Sequence, residues 1–212
     1  MPKQSEHGRI IAAAAKAALL PIGCQRIGRS RCWISDQRCW VITVEFQPSA
    51  WAKGSYLNVT PHWLWLRYGA KDHHPRPADF IPFETAEQFE PLIKNMATIA
   101  ARAVFDMRVR FRTLEKIHRF FAERISDNGF PLYRAAVTAG LVHDQVLARQ
   151  LFKKIETLDP EIHGPWINTL KLECATFSAL LGDPARYRSA ITETITERRK
   201  DFCLPADLQS LE

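Results

Sequence analysis

A chain of 212 residues, 46% hydrophobic and 25% charged, is long enough to bury a core and has the composition of a globular protein. No apolar run approaches the roughly 20 residues that cross a bilayer, which argues against a membrane partner. The net charge of +6 is uneven: residues 1–83 hold 11 Lys/Arg against 5 Asp/Glu, whereas residues 84–212 hold 18 of each. A basic first half favours acidic partners, and nucleic acid is one possible class.

Residues 1–8 read as a frayed leader. Residues 9–20 predict a helix ended by Pro21 and Gly23. Lys16 interrupts its alanine run, and Gln4-Ser-Glu-His7 stands where a signal peptide would carry positive charge, so the segment is expected to pack on a sheet. Two short strands follow, about 24–29 and 31–35, given a basic character by Arg26, Arg29, Arg31 and Arg38. Glu45 is the one acid between Asp36 and Asp72, so it is expected to pair with one of these arginines. The five cysteines lack metal spacing and read as reduced, which points to the cytoplasm.

The strongest β signal runs from Arg38 to Leu66. Trp40, Ile42, Val44 and Phe46 alternate with Val41, Thr43, Glu45 and Gln47, the period of a strand with one face in a core. Pro48 ends ladder pairing, Pro48–Gly54 forms a loop, and Gly54 supplies a permissive backbone at its exit. Tyr56, Asn58, Thr60 and His62 then alternate with Leu57 and Val59. Pro61 is expected to break or bend this strand, with Trp63-Leu-Trp-Leu66 resuming it.

Gln47 and Asn58 are polar side chains inside apolar strand sequence, and Ser49, Trp51 and Lys53 lie between them. One reading has the two amides tying the loop to the strands, with Trp51 capping the core. The other makes the loop a recognition surface, with an anion site built from Arg29, Arg31 and Lys53, since arginine forks suit carboxylate or phosphate. The binding candidates are therefore Arg29, Arg31, Gln47, Ser49, Trp51, Lys53 and Asn58.

Residues 68–82 are punctuated by Gly69, Pro75, Pro77 and Pro82 and read as a loop. Its Asp72-His73-His74 is expected to be solvated, because adjacent histidines point apart. Thr85-Ala-Glu-Gln88 is a capping box. The wide stripe Phe89, Leu92, Ile93, Met96, Ile99, Ala100, Ala103, Val104 and Met107 then predicts a helix covering a sheet. Another helix is expected over 108–125. Its Arg108, Arg112, Lys116 and Arg119 form either a solvated face or a phosphate-reading ridge. Glu115-x-x-His118 occurs once, whereas a di-metal bundle needs two copies.

Asn128-Gly-Phe-Pro131 marks a boundary, giving an α+β domain over 1–127 and a helical extension over 128–212. Helices are expected at about 131–139, 144–158, 165–181 and 184–202. Ala148, Phe152, Pro160 and Trp166 give the pairs a weakly tetratricopeptide-like character.

There is no G-x-S-x-G elbow, P-loop or G-x-G-x-x-G, and the strand region is poor in acids. No catalytic residue, metal ligand or cofactor motif is identified. Gly23-Cys-Gln-Arg-Ile-Gly-Arg29, Trp40, Val44-Glu-Phe-Gln-Pro-Ser49 and Lys53-Gly-Ser-Tyr-Leu-Asn-Val59 together resemble the bacterial family called domain of unknown function 4304, over about residues 8–125. That resemblance implies an N-terminal helix, a Gly-x-x-Arg-x-Gly-Arg segment and a strand with a central Asn. It implies no activity, and it draws Gln47, Ser49 and Asn58 together as a shared site. The expected architecture is α+β, an antiparallel meander packed against helices and followed by an all-α helical-hairpin tail. The expected function is non-catalytic binding of another macromolecule, a protein first, in an immunity- or defence-associated setting. Nucleic-acid binding or processing by the basic half, and an enzyme site at the 47–58 loop, are the alternatives.

Overall fold

The computed structural model describes residues 5–66 and 76–206. The fold is α+β, with a five-stranded antiparallel sheet followed by a helical C-terminal part. The chain divides into two compact units, Met1–Trp63 with Lys71–Val109, and Leu64–Ala70 with Arg110–Glu212.

In the first unit each strand pairs with its neighbour in sequence: β1 (Gln25–Arg26), β2 (Cys32–Asp36), β3 (Trp40–Gln47), β4 (Gly54–Trp63) and β5 (Ala78–Pro82). The β3–β4 register sets Trp40 opposite Trp63, Ile42 opposite Pro61, Val44 opposite Val59 and Phe46 opposite Leu57. All eight are buried, and the Trp40 and Trp63 rings stack with centroids 5.3 Å apart. Burying a large apolar side chain is worth about 1.5–3 kcal/mol, so this face is the cohesive one. Helix α2 (Ala86–Arg110) reaches the same face. Its Arg108 donates from Nη2 and Nε to the fully buried Ser35 hydroxyl, at 2.7 and 3.1 Å. Helix α1 (Glu6–Leu19) buries Ile11, Ala15 and Leu19 and ends in a short 3₁₀ turn and Gly23 in the left-handed region.

Several expectations are corrected. The helix begins at Glu6, inside the stretch read as a frayed leader, and the first strand shrinks to two residues. Pro61 does not break β4, which runs through it and stops at Trp63 instead of resuming to Leu66. The pairing of β5 with β4 ends at Leu57, so at Pro61 no described strand on that flank awaits an N–H. Ala78–Pro82 is a strand, not loop. It is the edge strand, where a terminal proline is tolerated. The Asp72-His73-His74 reading lies outside the described residues.

The second unit gathers around α4 (Gly129–Leu141). Every residue from Leu132 to Leu141 is buried, the mark of a helix enclosed on all sides. It contacts α3 (Leu114–Ala122), α5 (Gln145–Glu156), α7 (Trp166–Leu180) and α8 (Pro184–Asp201); a short α6 (Pro160–His163) precedes α7. Side-chain caps start four of these helices: Asn128, Asp144, Asp159 and Asp183 each accept from a backbone N–H of the first turn. Phe130 stacks flat on Trp166 at 4.3 Å. The helix expected over 108–125 is interrupted at Phe111–Thr113, and Thr113 caps α3. This divides the basic ridge, because Arg108 ends up on α2 bonded to Ser35.

His118 on α3 lies with Nδ1 3.4 Å from the Thr138 hydroxyl. Burial holds its imidazole below the ordinary 6.5, partly offset by Asp144. The unfolded chain then binds a proton more readily than the folded one. The associated stability is present above about pH 6.5 and is lost as pH falls through the folded value. Urea midpoints should accordingly drop between pH 7.5 and pH 5, and the drop should shrink in His118→Gln. An unchanged slope in that variant would disprove the assignment.

Candidate functional site

The β3–β4 hairpin projects a six-residue connection, Pro48–Lys53, and the structure shows what fixes it. Pro48 follows the last ladder residue. The Ser49 hydroxyl accepts from the Trp51 N–H at 3.1 Å, a local turn that serine favours. The Lys53 carbonyl accepts from the Phe83 N–H at 3.0 Å, tying the far end to the segment after β5. Gly54 follows at φ +147, with no room for a Cβ. On this braced loop the Trp51 side chain is 96% exposed. Trp51 therefore does not cap the core. The stacked Trp40–Trp63 pair and the apolar pairs beside it already fill the buried face.

The loop and His7 of α1 enclose a hollow of about 320 Å³, lined by His7 and Pro48–Gly54. The His7 ring rests against Phe83, with centroids 5.4 Å apart. Burial, then the charges of Arg31 and Lys53, hold this imidazole below its ordinary 6.5, so both cations act on the same ring. Arg31 stands across from the strand end that feeds the loop, its carbonyl accepting from the Phe46 N–H at 3.1 Å. Its Nη1 is enclosed and has no acceptor among the described residues. Burial disfavours its charge accordingly. Arg29 lies exposed on the β1–β2 turn, outside the lining of the hollow.

On the opposite sheet face, Gln47 and Asn58 meet as the sequence suggested. Asn58 Nδ2 donates to Gln47 Oε1 at 2.7 Å and to Glu45 Oε2 at 3.2 Å. Glu45 thus takes an amide, not the expected arginine. Arg76 completes the group, donating to Asn58 Oδ1 at 3.1 Å and Gln47 Oε1 at 3.3 Å. Its guanidinium lies 4.1 Å from the centre of the Tyr56 ring. Farther along the same face Thr43 and His62 are hydrogen-bonded at 2.8 Å. These groups satisfy one another, so the cluster braces the strand ends that carry the loop. Asn58→Ala should cost about 1–2 kcal/mol, because it removes the donor to Glu45 Oε2 and the acceptor of Arg76 Nε, while Arg76 Nη2 keeps Gln47 Oε1. A shift of the urea midpoint at constant m-value measures this.

His7 and Arg76 were missed by sequence reasoning. His7 fell in the supposed leader, and Arg76 in a proline-rich stretch with no strand signal. The larger hollow, about 790 Å³ between α1 and α2, is lined by five alanines and Ile10 together with Glu6, Arg9, Glu90, Lys94 and Thr98. Its Lys94 and Glu90 close on each other at 2.7 Å. Its charges are of both signs, whereas the smaller hollow is lined by Lys53 and His7 with no acid. Among the described residues no group of three or more His, Cys, Asp or Glu is placed to hold a metal ion. No helix among them is long and apolar enough to cross a membrane. No protein-family model, curated protein or solved structure matches the chain.

Proposed function

We propose that this chain is a non-catalytic binding protein that docks a protein partner through the Pro48–Gly54 hairpin tip. The observation that carries the reading is Trp51, 96% exposed on a loop anchored at both ends. An indole on a preordered loop loses little entropy on binding, and tryptophan is the residue type most enriched among binding hot spots. All five cysteines are free, which supports a reducing, cytoplasmic setting.

The test is paired affinity capture with the whole chain and its Trp51→Ala variant. Trp51 makes so little contact that folding stability should change by less than about 0.5 kcal/mol. A protein retained by the native chain and lost by the variant supports the reading. Retention of the same set by both sinks it. A salt-dependent shift of DNA or RNA abolished by the same variant would replace it with nucleic-acid binding.

A further inference from the structure

The hollow beside Trp51 has a polarity that the docking surface alone does not explain. Its lining includes Lys53 and His7 and no acid. Glu6, the acid next to His7 in sequence, lines the α1–α2 groove instead. Arg31, the residue before β2, stands outside that lining but close enough for its charge to act on the His7 ring, as Lys53 does. With no acid in the lining, an anion entering the hollow gains from both positive charges.

We propose that this hollow receives a carboxylate of the docked partner, recognised by Lys53 and His7 and attracted by the Arg31 charge beside them, while Trp51 covers an apolar neighbour of that acid. The inference rests on the hairpin tip being a docking surface, and it names what the tip accepts: an acidic protein segment with an apolar residue beside the acid. A nucleic acid is the poorer fit. Single strands are held by a cationic track with successive aromatic platforms. Here one indole stands over one hollow, and the adjoining sheet face presents Glu45.

Titration of the full chain with a capped oligoglutamate peptide, followed by NMR of the His7 ring and the Trp51 indole N–H, tests this. Saturable shifts of both are expected. Affinity should fall roughly tenfold or more in Lys53→Gln, the loss of a charge-assisted hydrogen bond, by less in Arg31→Gln, which removes only a nearby charge, and hold in Arg29→Gln. Lys53 is exposed, so its variant remains informative should Arg31→Gln fold poorly. No saturable shift, or native affinity in Lys53→Gln, overturns the proposal. So does tighter binding of inorganic phosphate or of oligothymidylate than of the peptide. If the peptide fails while capture still depends on Trp51, this inference falls and the docking reading stands. If the peptide binds while capture ignores Trp51, the docking reading falls, and the partner-based assignment falls with it.

Discussion

Gly140→Val should destabilise the helical unit by about 3 kcal/mol or more, although glycine inside a helix is ordinarily the weaker choice by about 1 kcal/mol. The sign reverses because α8 is too close. A Cβ built at Gly140 meets Cζ of Tyr187 at 2.5 Å and its hydroxyl at 2.6 Å. Tyr187 is 1% exposed, and its hydroxyl donates to the Val137 carbonyl at 3.2 Å. The ring cannot swing away without leaving its own hydroxyl unpaired in the core, a further cost of about 1–3 kcal/mol. Even Gly140→Ala should destabilise. Combining it with Tyr187→Leu should cost clearly less than the sum of the single changes, because the leucine vacates the space that the methyl needs. Helix-like stabilisation by Gly140→Ala in a urea titration would refute the close approach.

Gly54→Val should cost about 4 kcal/mol and abolish partner binding even where the chain still folds. Here the obstacle is main chain. The added Cβ would lie 2.3 Å from the Ile81 carbonyl oxygen and 2.6 Å from the Phe80 ring. Gly54 and Ser55 pair with Pro82 and Ile81, so the intruding atom pushes β5 off β4. The φ of +147 adds strain of about 1–3 kcal/mol for any L side chain. The anchor from Phe83 to Lys53 lies next in line, and losing it frees the loop that presents Trp51. Thermal melts would register the stability loss, and capture at a temperature where the variant stays folded would register the loss of binding.

The parts of the fold that were legible in the sequence are those in which one force acts alone. The alternation from Trp40 to Phe46 gave the right face because burial on one side dictates period two. The start of α8 at Pro184 was legible because the bond of its Asp183 cap is local. Ala78–Pro82 was hidden because pairing with β4 overrode two flanking prolines. The interruption at Phe111–Thr113 was hidden because apolar spacing continues across it. At the site, Gln47 and Asn58 could be joined from their places on paired strands. Whether Trp51 turned inward or outward could not be read, since a loop aromatic carries no periodicity. Arg76 and His7 enter through tertiary contacts that their own neighbours in sequence do not encode.

The unbroken strand order has a consequence for how the molecule assembles. Each strand needs only the segment just made, so loop closures within the sheet are short and their entropic cost is small. Low contact order of this kind goes with fast folding. The β3–β4 ribbon, with eight directly opposed residue pairs, can zip before the first residue of α2 leaves the ribosome. The surface proposed to meet the partner would then be among the earliest parts of the chain to take shape during synthesis.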